Sequence, residues 1–260
     1  MKKILFAILT VSIAFLASCN KKNEPENSDA PQNDETSGTI KDICGNTYNY
    51  VKIGDQYWTA ENMRCNKYDS ESEAKGETIS TADKASFTPC YIDATNPSYC
   101  KASPYSSKLN DTQIKALGYL YNYSAAVGIT ADNEANTDES SFGEKRQGIC
   151  PNGWHIPNFE EWASLRDFVG YSIASKCIKT TSGWYGKDGN GTDDYGFAAL
   201  PAGVFYFSEE ISMAGYNTAF FVASYSDGRA TYEGITSEEN GMRDGTVRKD
   251  TFLSVRCVKN

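Results

Sequence analysis

The sequence predicts an α+β domain. Strand-like runs are short and alternate with period two, helical periodicity is confined to two modest stretches, and Ser, Asn, Asp, Gly and Pro fill long connections between them. The 260 residues, 40% of them hydrophobic, can bury one large core or two small ones. The cysteine pattern favours a single unit over residues 39–260, and no fixed-period repeat is present.

Residues 1–18 carry Lys2 and Lys3 ahead of an apolar run from Ile4 to Leu16, the charged start and short hydrophobic centre of a secretory signal. The run is too short to span a bilayer. It ends in Leu16-Ala17-Ser18-Cys19, which resembles the bacterial lipobox, and Cys19 is expected to be the first mature residue and to carry the lipid. Residues 20–38 contain no aromatic side chain and no aliphatic one larger than Ala30, so they cannot offset their ordering entropy by burial and should act, from Cys19 on, as a tether. These features place the protein at the bacterial cell envelope, lipid-anchored in the outer membrane, with either face of that membrane open.

Lys and Arg number 25 against 34 Asp and Glu, a net charge of -9, more acidic still once Lys2 and Lys3 are cleaved away. Such a chain repels phosphate backbones, so nucleic acid is not an expected partner and membrane attachment should depend on acyl chains.

The folded part should open near Thr39 with a hairpin. Tyr48, Tyr50 and Ile53 alternate, Gly54-Asp55 turns the chain, and Gln56-Tyr57-Trp58 returns. Residues 66–113 read as loops. From Asp111 to Val127, Ile114, Leu117 and Tyr121 recur at helical spacing with Asp111 as cap, although Gly118 argues for a helix followed by a strand. The best helix follows Asn158: Glu161 stands three residues on as in a capping box, Trp162, Leu165 and Val169 line one face, and Gly170 stops it. Short Gly-, Tyr- and Phe-rich runs follow, closing with the strand-like stretch from Thr251 to Asn260.

Of eight cysteines, seven remain after Cys19, and export makes disulfides the default. Sequence alone allows about 105 arrangements of three bridges and one odd thiol. Cys44 and Cys65 bracket the expected hairpin, Cys90 and Cys100 enclose a turn-rich segment, and Cys150 with Cys257 would tie the middle of the domain to its end. That set leaves Cys177 as the free thiol. Without a CxxC pair, and with His155 as the only histidine, a zinc centre is not expected.

Asp188, Asn190, Asp193 and Asp194 cluster around two glycines, and such alternating oxygen ligands suit Ca²⁺. The plainer reading is a hairpin turn built from turn-forming residues. Trp184 and Tyr185 precede that loop and are candidate sugar-stacking residues, with Tyr206, Tyr216, Tyr225 and Tyr232 adding aromatic surface. His155 reads as a packed corner residue, since no G-x-S-x-G elbow accompanies it. Glu160 and Glu161 are explained by capping and the helix dipole.

The segments GDQYWTAENMR, GYLYNYSAA, GICPNGWHIPNFEEW, TSGW, GTDDYGFAALPAG and SVRC, in this order, resemble the Fibrobacter succinogenes major paralogous domain. The resemblance implies a secreted or lipid-anchored bacterial domain without an established activity. More distantly, WHIPNFEEW, the Gly-rich middle and VRC resemble the formylglycine-generating-enzyme and C-type-lectin-like layout, in which the termini meet in a small sheet. That layout implies a loop-rich fold of short antiparallel strands and about two helices, and supports the Cys150–Cys257 pair. The lectin sugar-selecting triplets and the enzyme's reactive cysteines are not matched, so neither chemistry is carried over. The expected function is therefore a non-enzymatic, extracytoplasmic binding module for glycan or another surface polymer. The alternative is a structural or adhesive component, such as part of a pilus tip, that binds a protein partner.

Overall fold

A computed structural model describes residues 36–74, 76–81, 99–102, 115–129, 145–204 and 213–260. Cys19, the tether up to residue 35, Asp111 and Tyr206 lie outside the described residues, and the Cys90–Cys100 pair lies outside the described side chains.

The molecule is α+β, with short and mostly antiparallel strands. The expected hairpin is present as β2 (Thr47–Ile53) and β3 (Gln56–Thr59), and β1 (Ser37–Lys41) is added to its outer edge. The last strand, β11 (Val258–Lys259), inserts between β3 and β7 (Trp154–His155), so both ends of the folded chain meet in one five-stranded sheet of order β1-β2-β3-β11-β7. A second sheet holds β8 (Asn217–Ser226), β9 (Arg229–Thr236) and β10 (Arg243–Val247) as a meander. A third joins β4 (Ser80–Thr81), β5 (Tyr99–Ala102) and β6 (Tyr119–Tyr121), with β4 and β5 parallel.

Gly118 shows why the expected helix up to Val127 gives way to a strand. Its φ is +65°, and a β-carbon there would stand 2.4 Å from the Met63 carbonyl, a left-handed and crowded position open to glycine alone. Residues 115–117 before it are helical and strand β6 follows it, the expected helix followed by a strand; helix α1 (Tyr123–Val127), capped by the Asn122 side chain, comes next.

Helix α2 (Phe159–Val169) forms as expected. Asn158 accepts from the Glu161 N–H at 2.9 Å, Glu161 accepts from the Asn158 N–H at 2.9 Å, and Gly170 ends the helix. Its apolar face drives Trp162 against Trp58 (ring centroids 4.6 Å) and Phe220 (5.5 Å). A 3₁₀ turn (Tyr171–Ile173) leads into α3 (Ala174–Ile178).

Strand β8 divides the interior. Ala219, Phe221 and Ala223 face one core with Tyr48, Tyr121 and Trp154, while Phe220 and Val222 face a second with Trp58, Trp162 and Phe197. Burial on both faces is why the strand reads as an unbroken apolar run rather than an alternating one.

Disulfides join Cys44 to Cys65 and Cys150 to Cys257. Cys177 is a correction: it is itself disulfide-bonded, and its partner is not among the described side chains. The free-thiol expectation came from elimination, which inherits every assumption made about the other pairs. The sulfur in fact lies fully buried in the second core.

No helix among the described residues is long and apolar enough to cross a membrane.

Candidate aromatic binding site

The segment after α3 leaves the core at Lys179 and returns at Ala199, where the two strands of chain touch in a parallel bridge. The intervening loop is therefore not a hairpin turn, as the sequence suggested, but a closed excursion that folds back on α3. The Thr192 and Asp194 N–H groups donate to the carbonyls of Lys176 and Cys177, each at 2.9 Å.

Asn190, Asp193 and Asp194 each bond within this loop. Asn190 Oδ1 accepts from the Trp184 N–H at 3.0 Å, and Asp193, at φ +49°, accepts from the Ala198 N–H at 2.8 Å. Asp194 accepts from the Thr192 hydroxyl at 2.7 Å, and Asp188 is exposed. Burial pushes the Asp193 carboxyl up to about 6, against the Ala198 hydrogen bond and the Arg256 charge. The carboxylates of Asp188, Asp193 and Asp194 do not gather around a common point. Among the described residues the one acidic or sulfur group that does is Asp42, Cys44 and Cys65, and its two sulfurs form a disulfide. The structure thus does not bring the expected calcium ligands Asp188, Asn190, Asp193 and Asp194 together as one set, and Asn190, Asp193 and Asp194 bond locally as turn-forming residues do.

Trp184 and Tyr185, neighbours in sequence, part company. Trp184 is 5% exposed, its indole N–H donates to the Ala199 carbonyl at 3.0 Å, and the Lys179 ammonium sits 5.2 Å over its ring. It anchors the loop and offers no face to a ligand, which corrects its place as a stacking residue. Tyr185 is 60% exposed and pairs with Tyr216, 40% exposed, at a ring-centroid distance of 4.1 Å. The pKa of the Tyr216 hydroxyl, which donates to the Tyr185 phenol oxygen, is raised above its usual range by that bond.

The pair is held from below. The Tyr185 N–H donates to the Gly215 carbonyl at 2.8 Å, and Gly189 packs so closely that a β-carbon there would lie 2.0 Å from the Tyr185 carbonyl. Met213, also exposed, accepts from the Tyr216 N–H at 3.0 Å through its carbonyl, and its sulfur meets the Asn217 amide at 3.3 Å. Tyr225, by contrast, stacks on Tyr123, and Tyr232 packs on the first core.

The sequence did not single out Phe159 and Tyr171. Both are exposed, and the Arg166 guanidinium lies 5.5 Å from one ring and 5.6 Å from the other. Phe159 was legible only as the first residue of the helix, and Tyr171 only as part of a loop.

An open groove of about 1060 Å³ lies elsewhere, between β1–β2 and residues 196–198. Glu61 and Arg64, which line it, are committed to each other and to nearby groups. Glu61 accepts from the Asn49 backbone and side chain, and Arg64 donates to Glu61 and to the carbonyls of Lys115 and Thr47. His155 is buried, its Nδ1 2.6 Å from the Asn260 amide oxygen and its Nε2 2.8 Å from Glu161. It ties the chain end to the start of α2, and both ring nitrogens are occupied.

The family model described as the Fibrobacter succinogenes major domain matches residues 51–259. No curated protein and no solved structure matches the chain.

Proposed function

The chain belongs to the Fibrobacter succinogenes major domain family, and we propose that it is a non-enzymatic binding module that takes a glycan on the Tyr185–Tyr216 pair. One observation carries this reading: two exposed phenol rings, tilted against each other at a centroid distance of 4.1 Å, stand on a loop that Asn190 and Asp193 fasten to its own backbone. Flat rings stack on the C–H face of a sugar while exposed hydroxyls and carboxylates beside them take its hydroxyl groups. The insertion of β11 beside the opening hairpin supports a C-type-lectin-like reading of the fold. The lipobox supports anchoring through Cys19 in the outer membrane, with the domain facing its ligand across the tether.

The test is a glycan array with the purified full chain, run with calcium and with a chelator. Binding that survives the chelator and falls about tenfold in Tyr185→Ala, the loss of roughly 1.4 kcal/mol expected for one stacking ring, is the expected result. A blank array, or a Tyr185→Ala variant that binds as well as the parent, overturns the reading and turns attention to a protein partner at the same exposed patch.

A further inference from the structure

The Tyr185–Tyr216 pair has a counterpart. Phe159 and Tyr171, 44% and 64% exposed, flank Arg166, and the connection between β9 and β10 runs from one pair to the other. At its first end the Ser237 N–H donates to the Tyr216 carbonyl at 2.7 Å, and the Ser237 β-carbon lies beside Gly189, under Tyr185. At its other end Gly241 lies against the carbonyls of Tyr171 and Ser172.

Between these ends the connection is pinned to α3. The Lys179 ammonium donates to the carbonyls of Thr236 at 3.0 Å and Glu239 at 3.3 Å, and the Lys176 N–H donates to Asn240 at 3.0 Å. The four steps from Ser237 to Gly241 span at most about 14 Å at ~3.3–3.6 Å per residue. Glu238, Arg243 and Asp244 stand exposed along this stretch, Arg243 is ion-paired with Glu239, and Asp244 reaches the Arg166 guanidinium at 3.7 Å.

Resting on the glycan reading above, we infer that the two aromatic pairs are the ends of one strip that takes an extended, neutral polysaccharide chain rather than a terminal sugar. Two rigidly spaced stacking sites engage two points of the same polymer, and the second contact is made at the high effective concentration set by the first. With Glu239 and Asp244 offset by Arg243 and Arg166, and Glu238 exposed, the stretch offers no excess of cations, and on a chain of net charge -9 it disfavours uronic or sulfated polymers and leaves hydroxyl-bearing neutral chains as the matching class.

The experiment is electrophoresis of the full chain through native gels containing galactomannan, xyloglucan or mixed-linkage β-glucan, with polygalacturonate as the anionic control. Calorimetry follows, with a length series from disaccharide to octasaccharide of the best binder. Affinity is expected to climb with chain length, Tyr171→Ala to lose about tenfold on the polymer but nothing on the disaccharide, and Tyr171→Phe to keep both. Tyr185→Ala should weaken both ligands. Unchanged polymer affinity in Tyr171→Ala, with loss in Tyr185→Ala, overturns the strip and leaves the single-pair reading standing. Unchanged affinity in both variants, or preferential binding of polygalacturonate, overturns the inference at its base.

Discussion

The interior around Arg256 and the rim around Tyr185 use their polar groups in opposite directions. Arg256 is fully buried between the rings of Phe197, 4.4 Å away, and Phe220, 5.6 Å away. Its guanidinium donates to Asn62 Oδ1 at 2.6 Å, to the carbonyls of Thr59 and Phe197 at 2.7 Å each, and to the Ala198 carbonyl at 3.2 Å. Asn62 in turn donates to the Leu117 carbonyl and the Ser254 hydroxyl. One fork thus closes the hairpin, the acidic loop and the last strand on each other. At the rim, Tyr185 and Tyr216 stay exposed, while Asn190 and Asp193 in the loop beneath them bond to that loop's own backbone. Asn62 and Arg256, in the segments ENMR and SVRC that mark the chain's resemblance to its family, are therefore fasteners.

The largest effect should come from breaking the fork. Burial lowers the Arg256 pKa to about 9, with Glu61 and Asp193 opposing, so the group stays charged at neutral pH and its partners are fixed acceptors. Arg256→Met removes the donors and leaves Asn62 and three carbonyls short of partners in an apolar interior, at about 1–3 kcal/mol for each group left unsatisfied. Urea unfolding is expected to show a loss of about 4 kcal/mol or more, and Arg256→Lys, lacking the planar fork, should recover only part of it. An unchanged midpoint in Arg256→Met would mean that the three segments hold together without this residue.

A second buried charge separates the two regions by pH. Glu233 on β9 is fully buried and pairs with Arg166 of α2 at 2.9 Å. Desolvation raises its carboxyl from 4.5 to about 7, the Arg166 charge opposing and Asp244 reinforcing. The folded state therefore holds a proton between about pH 4.5 and 7 that the unfolded chain has released. Stability from this group is highest at the acid end and falls as pH rises through that window, by up to roughly 3 kcal/mol for a shift of this size. Asp193, raised to about 6, adds to the same slope at its acid end. Glu233→Gln should flatten the dependence across the window. A chain that instead gains stability from pH 5 to 7 would show that the Arg166 charge outweighs burial at Glu233.

Local chemistry was legible and long-range chemistry was not. The capping box at Asn158 and Glu161 and the turn at Gly54-Asp55 are written in adjacent residues, so the helix and the hairpin could be placed directly. Cys44 and Cys65 followed from that hairpin, because a β-turn brings its own ends together. Asn62 and Arg256 lie 194 residues apart, and no spacing rule connects them. The carboxylates of the acidic loop do not converge, because residue type reports which atoms are available, not where they point. Asn190, Asp193 and Asp194 each face a nearby backbone or hydroxyl donor. Trp184 and Tyr185 carry equal sequence signals, and only the parallel bridge between Lys179 and Ala199 decides which ring goes in. Phe159 and Tyr171 stayed unnoticed because the arginine that brings them together sits on the helix between them.

The smallest expected effect is at the rim, and it is the sharpest check on the contrast. Tyr185 contributes an exposed ring above a loop whose hydrogen bonds do not pass through its side chain, apart from the contact with the Tyr216 phenol. Surface substitutions of that kind usually stay within about 0.5 kcal/mol. Tyr185→Ala should therefore unfold in urea within that margin of the parent while losing its glycan affinity, the reverse of Arg256→Met, which should lose stability first. A Tyr185→Ala variant destabilised by about 2 kcal/mol or more would show that the phenol pair fastens the loop to β8, and the rim would then belong with the fasteners, since its exposed rings would be held by packing rather than displayed for a ligand.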